Sequence, residues 1–394
     1  MKKGFLLFVF TWIWAVTAFA QDQDTAYQFQ DVKVLPHTSI KDQYKSGTCW
    51  SFSGISFLES ELLRTGKGEY NLSEAFVIRY AYLEKAIRYV RFQGKNNFGA
   101  GGAFHDIIYV IKKYGIVPEE VYPGLNYGTD KFDHRELDEV LKAYIDAVVK
   151  NPGQTLTTAW LEGFNGILDA YLGKVPQEFE YKGKKYTPKS FAESLGLKWD
   201  DYVEITSFTH HPYYTQFELE IPDNWLHERV YNVTLDDFAE ILDYAIDKGY
   251  TIAWGSDVSE KGFSWRNGIA ILPDEKREDL TGSERERWEK LTDDEKKKQL
   301  YSFSSYVPEI KPTPELRQKW FDNYQTTDDH GMHIVGLAKD QRGNTYYKVK
   351  NSWAETGKYK GYFYASKTFV LMKTTDFMVH KDAVPAKIRK KLGF

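Results

Sequence analysis

The sequence predicts an α+β chain folded as two lobes, and three observations predict it. The first half carries amphipathic helical runs stopped by glycine or proline, from Cys49 to Leu172. The final third turns to aromatic and β-branched strands at 330–337, 345–350 and 361–365, with the turn Gln341-Arg342-Gly343-Asn344 between the first two. A hydrophobic content of 42% over 394 residues, with 11 Trp, 28 Tyr and 25 Phe, is enough apolar surface for two cores.

Taken in order, residues 1–20 read as a secretory signal peptide. Lys2-Lys3 precede an apolar run from Phe5 to Val16, and Ala18-Phe19-Ala20 forms a small-residue cleavage site. The apolar run is shorter than the roughly 20 residues a membrane span needs. An exported protein, periplasmic or extracellular, is therefore expected, with no membrane span once the signal is removed. The net charge of −4 becomes more acidic when Lys2 and Lys3 leave, so no nucleic-acid partner is expected.

Residues 21–129 form a helical lobe. A helix from Cys49 to Arg64 buries Phe52, Ile55, Leu58 and Leu62, and Gly66 stops it. Ser73 caps a second helix with an acidic first turn. Gly101-Gly102 precedes a third, closed by Tyr114-Gly115. Residues 130–231 read as a mostly helical insertion subdomain, with a small hairpin at 179–186 and a Thr187 cap before Pro188. His210-His211 and His227 fall here as turn histidines, with no carboxylate or cysteine spacing for a metal, so no metal or other cofactor is expected. Residues 232–380 form the strand lobe, entered through a helix from Leu235 to Lys248. A solvated charged excursion interrupts it over 274–325. A basic tail, 381–394, closes the sequence.

Cys49 is the single cysteine, so no disulfide forms within the chain and the core alone stabilises the fold. A thiol at a helix N-terminus meets orphan N–H groups and a positive dipole end, which favours thiolate. The alternative is a small buried hydrophobe. A cysteine nucleophile needs a base within hydrogen-bond reach, and the base needs a third group to fix its ring. His330 and Asn351 begin and end neighbouring strands of one hairpin, so the turn between them brings the two together. His333 competes for the base role. Residues three apart on a strand face opposite ways, so only one of the two histidines can meet Cys49.

The stretch Gln43…Gly47-Thr48-Cys49-Trp50-Ser51-Phe52 resembles the nucleophile segment of papain-like cysteine peptidases, with Ser46 where that family has a further cysteine. Gly101-Gly102, Asp329-His330-Gly331 and Lys350-Asn351-Ser352-Trp353 resemble its glycine pair, histidine strand and asparagine motif, in the same order. The wide spacing from Cys49 to His330 and the turn Gly255-Ser256-Asp257-Val258 are similar to the bleomycin hydrolase and aminopeptidase C branch.

The resemblance implies a papain-like two-lobed fold, with a helical lobe and an antiparallel β-barrel-like lobe. It implies Cys49 as thioester-forming nucleophile, His330 as base, Asn351 as its orienter and Trp353 as the shield of that bond. Gln43 and the Cys49 N–H would form the oxyanion hole, and Gly101 and Gly102 would hold substrate main chain. Peptide or protein substrates follow, and a homo-oligomer stays open. Action on free N-termini is expected from the branch. In that branch a C-terminal arm brings its carboxylate into the cleft; here the sequence stops nine residues after Pro385. An endopeptidase with relaxed N-terminal specificity, or a silent peptide-binding protein, are the alternatives.

Overall fold

The computed structural model describes residues 27–151, 153 and 155–394. The proposed signal segment lies outside them. Its helices are α1 (Cys49–Arg64), α2 (Glu74–Arg91), α3 (Phe104–Tyr114), α4 (Arg135–Val149), α5 (Ala159–Leu172), α6 (Pro188–Ser194), α7 (Leu235–Lys248), α8 (Gly282–Glu289), α9 (Asp293–Leu300), α10 (Pro314–Asp322), α11 (Lys367–Lys373) and α12 (Ala386–Leu392). Its strands are β1 (Phe29–Val34), β2 (Phe179–Tyr181), β3 (Lys184–Tyr186), β4 (Tyr202–Thr206), β5 (Gln216–Glu218), β6 (Arg229–Asn232), β7 (Ile252–Ser256), β8 (Phe263–Ser264), β9 (Ile269–Ala270), β10 (His330–Asp340), β11 (Thr345–Lys350), β12 (Tyr362–Ser366) and β13 (Thr374–His380).

The expected caps explain many of these boundaries. Ser73 accepts the Phe76 N–H at 3.0 Å and Thr234 the Asp237 N–H at 3.2 Å, satisfying orphan donors in the first turns of α2 and α7. Gly249 ends α7 in the left-handed conformation.

The strand lobe is an open sheet and not the barrel-like one expected. Its order is β5-β6-β4-β13-β7-β10-β11-β12-β9-β8, with β1 added on β10. Most neighbours run antiparallel, while β4–β6 and β12–β9 are parallel, which requires crossovers rather than hairpins. The segment 130–231 shares its apolar residues with both lobes. Leu137, Leu141, Phe164, Leu168 and Phe191 lie in the core of α1–α3, while β4, β5 and β6 extend the sheet. The charged excursion is solvated on its outside but anchored by Trp288 and Leu300, which pack with Tyr27, Tyr346 and Tyr364. No helix of the described residues is long and apolar enough to cross a membrane.

The helix α1 runs between the lobes and is buried on nearly every side from Trp50 to Leu62. Its helix-facing side meets α2 and α3, and its other side meets β7 and β10. Small residues make this approach close. A side chain on Gly54 would run into Ile107, and a Cβ on Gly331 would lie 2.8 Å from Ser53 Oγ and 3.1 Å from Trp50 Cα. Gly331→Ala therefore overpacks the seam, with an expected loss of about 1–3 kcal/mol of unfolding free energy in a urea titration. Gly99→Ala, where a Cβ meets nothing within 4 Å, is expected to stay within about 0.5 kcal/mol of the parent.

Candidate active site

Cys49 opens α1, so its own N–H is an orphan donor of the first turn. Its sulfur accepts the Gly331 N–H at 3.3 Å, which ties the thiol to the strand that starts at His330. The His330 Nε2–H donates to Asn351 Oδ1 at 2.8 Å, leaving Nδ1 as the basic nitrogen. Asn351 Oδ1 also takes the Ser352 N–H at 2.8 Å, so the carboxamide cannot rotate without losing two bonds. The Trp353 ring stacks on the imidazole at 4.8 Å and 27°, covering the His330–Asn351 bond. Phe263 and Trp265 pack edge-on against Trp353 and hold it there.

Gln43 reaches the same place by a clasp between the two walls. Its N–H donates to the Ser352 carbonyl at 2.8 Å, and the Ala354 N–H donates to the Lys41 carbonyl at 3.1 Å. The Ser352 hydroxyl donates to Gln43 Oε1 at 2.6 Å, leaving the amide NH₂ as the free end. Tyr44 at φ 47° and Gly47 at φ 66° turn the chain from this clasp into α1. Ser46 Oγ and Thr48 Oγ1 share a 2.6 Å hydrogen bond inside the turn, filling with polar contacts the place of a bridging cysteine.

His333 is elsewhere, as strand alternation requires. Its Nδ1 meets Ser56 Oγ at 2.9 Å, two turns along α1 from Cys49, beside Lys350, which donates to the same hydroxyl at 2.7 Å. Gly102 lies over the Trp50 indole, whose Nε1–H is held by the Ala100 carbonyl at 2.9 Å. Gly101 is covered from above: a Cβ there would run into the carboxylate of Asp223.

Burial and charge act on the thiol together with the helix N-terminus. Burial pushes the Cys49 thiol up to about 12, and nearby Asp223 and Asp328 add to the rise, against the opposing pull of the Gly331 N–H. Burial also lowers the His330 imidazole below its ordinary value, only partly offset by its Asn351 bond and by Asp329. Burial and the two acidic neighbours thus act on the sulfur against what the helix N-terminus favours.

A sulfur at a helix start, a base oriented by a carboxamide and the N–H donors of Cys49 and Gln43 are the groups that acyl transfer requires. Sequence reasoning missed Asp223 and Asp328, which line the same cavity as Cys49 and His330. The acidic pair before His330 was visible. Asp223 was not, because no motif of the sequence includes it and only the fold carries it onto Gly101.

Sequence spacing also offered no carboxylate for His210-His211, but the fold brings up Glu220. The ligand atoms of these three residues lie within 4.8 Å of one another. His210 Nδ1 is engaged by Gln318 Oε1 at 3.0 Å and its Nε2 by Glu220 at 2.8 Å. None of the three lines the Cys49 cavity.

A helical lobe, a sheet lobe and a thiol–imidazole–carboxamide group at their seam define the papain-like class of cysteine peptidases. The chain belongs to the Peptidase C1-like family, whose model matches residues 15–281 and 309–393. It is 25% identical to Aminopeptidase C of Streptococcus thermophilus over 89% of this chain and 82% of that one. It is likewise 25% identical to Aminopeptidase C of Lactococcus lactis subsp. cremoris, over 88% and 82%. The crystal structure of PepW from Lactobacillus rhamnosis HN001 superposes with a TM-score of 0.68 at 20% identity, covering 92% of this chain and 84% of that one, a likeness of fold.

His330→Ala is expected to lower kcat/KM on a peptide substrate by at least about 10³-fold. Asn351→Ala should cost about 10²-fold, because it misplaces the ring without removing it. His333→Ala should leave kcat within a few-fold while lowering the melting temperature. Activity surviving in His330→Ala and lost in His333→Ala would reverse the assignment.

Proposed function

We propose that this protein is an exported cysteine aminopeptidase that cleaves peptides through a thioester on Cys49. The observation that carries the reading is the His330–Asn351 bond, which leaves one basic nitrogen on the strand whose next N–H already holds the Cys49 sulfur.

In this reading Cys49 Sγ attacks the scissile carbonyl while its proton passes to His330 Nδ1. The developing oxyanion takes the Gln43 NH₂ and the Cys49 N–H, donors of a kind worth about 2.7–4 kcal/mol each. Collapse breaks the C–N bond, and His330 returns the proton to the leaving amine. Water, deprotonated by the same imidazole, then hydrolyses the thioester and regenerates the thiol. Trp353 keeps bulk water from the His330–Asn351 bond, and Gly102 offers backbone to the substrate main chain.

Exopeptidase action is favoured by the names of the relatives and by the covered glycine pair. The leaving amine must lie toward His330 and Trp353, so the acyl residue points toward Gly101 and Gly102. There Asp223 stands over Gly101 and narrows the path for further residues. The basic tail docks elsewhere: Lys387 and Lys391 pair with Glu240 and Asp237 on α7, Phe394 packs on Tyr231, and none of these lines the Cys49 cavity.

Fluorogenic aminoacyl amides with free N-termini should be hydrolysed at least about 10²-fold faster than their N-acetyl counterparts. Equal rates would make the protein an endopeptidase instead. Export rests on the 1–20 pattern, so protein recovered from the producing cells should begin at Gln21.

A further inference from the structure

We propose that Asp223 and Asp328 form the anchor for the substrate's free α-ammonium group, at the closed end of the Cys49 cleft. The proposal rests on the aminopeptidase reading and names the groups that select the amine.

The two carboxylates come from different parts of the chain and meet over the glycine pair. Asp328 sits two residues before His330, and Asp223 lies in the segment between β5 and β6; both line the cavity with Cys49, Gly102 and His330. The Oδ2 oxygen of Asp328 is shut off from solvent and has no hydrogen-bond partner among the described residues. An acceptor left open in a buried cleft calls for a donor, and the donor that suits a carboxylate pair is a cation.

The segment that carries Asp223 is built into place. Trp225 is buried, and its Nε1–H donates to Asp106 Oδ2 at 2.5 Å. Asn96 Nδ2 donates to the Trp225 carbonyl at 3.1 Å and Asn97 Nδ2 to the Pro222 carbonyl at 2.7 Å. The cation within this region, Lys85, makes no ion pair with Asp223 or Asp328 among the described residues. Its ammonium is spent on the Gly99 and Gly101 carbonyls.

The adjacent carboxyl of Asp329 is not part of the anchor, because it is engaged by the Val258 N–H at 3.0 Å and the Ser259 hydroxyl at 2.8 Å. Nor does α12 reach this cavity, since Ile388 and Leu392 are buried in the core of α7 and the sheet.

Burial raises the carboxyls of both Asp223 and Asp328, with Asp223, Asp376 and Asp329 adding to the rise at Asp328. Lys85 pulls the Asp223 carboxyl the other way. An arriving ammonium favours the charged form of both carboxyls.

The test is steady-state kinetics on the full chain with leucine 7-amido-4-methylcoumarin and its N-acetyl form. For Asp223→Asn/Asp328→Asn, kcat/KM on the free-amine substrate should fall about 100-fold, chiefly through KM, and the free-to-acetyl ratio should fall with it. Labelling of Cys49 by a thiol-reactive epoxide should be no slower than in the parent, which separates a lost anchor from a damaged site. A double variant that keeps the parent ratio overturns the anchor and leaves the aminopeptidase reading standing. A parent that hydrolyses blocked and free substrates alike overturns that reading and the anchor with it. If the variants do not fold, the parent decides: leucinamide should inhibit competitively and N-acetyl-leucinamide at least about 100-fold more weakly, and equal inhibition overturns the proposal.

Discussion

The site depends on how closely the first strand residue of β10 approaches the first turn of α1. Gly331 has no side chain to hold the backbones apart, so its N–H reaches the Cys49 sulfur and His330 arrives beside the thiol. The same seam is lined on the helix by Ser53 and Ser56, while Gly54 lets Ile107 of α3 approach from the other side, so α1 is packed from both lobes at once. Interiors this dense transmit small displacements, so the distance between sulfur and imidazole is set by packing along the whole helix. The Gln43–Ser352 clasp sets the remaining direction, joining the turn before α1 to the end of β11.

Placing the thiol at that seam has an electrostatic consequence. Water is excluded on the helix side, and acidic side chains stand on the open side. Both raise the thiol, against the pull of the Gly331 N–H, and burial lowers the His330 imidazole. The one cysteine has no partner to rescue it once oxidised.

Much of this was legible in the sequence because it is local. The α1 boundaries follow from the Phe52, Ile55, Leu58 and Leu62 face and from Gly66, and the histidine choice follows from strand alternation. Asn351 was placed by a turn of known length between two strands. What escaped was non-local. Nothing in Phe217 to Arg229 announces that Trp225 will be buried against Asp106 and carry Asp223 onto Gly101. The open sheet, with its parallel β4–β6 and β9–β12 pairs, was missed because short strands such as Ile269–Ala270 have too few residues to show a period.

The central claim is covalent: the acyl part of a peptide passes through sulfur. Rapid acid quench of the enzyme with an excess of a slowly deacylating aminoacyl ester, followed by intact-mass and peptide mass spectrometry, tests it directly. The account predicts a transient mass increase of one aminoacyl group, located on Cys49, removed by hydroxylamine and absent in Cys49→Ser. Full turnover with no adduct on Cys49, or an adduct on any other residue, would contradict it.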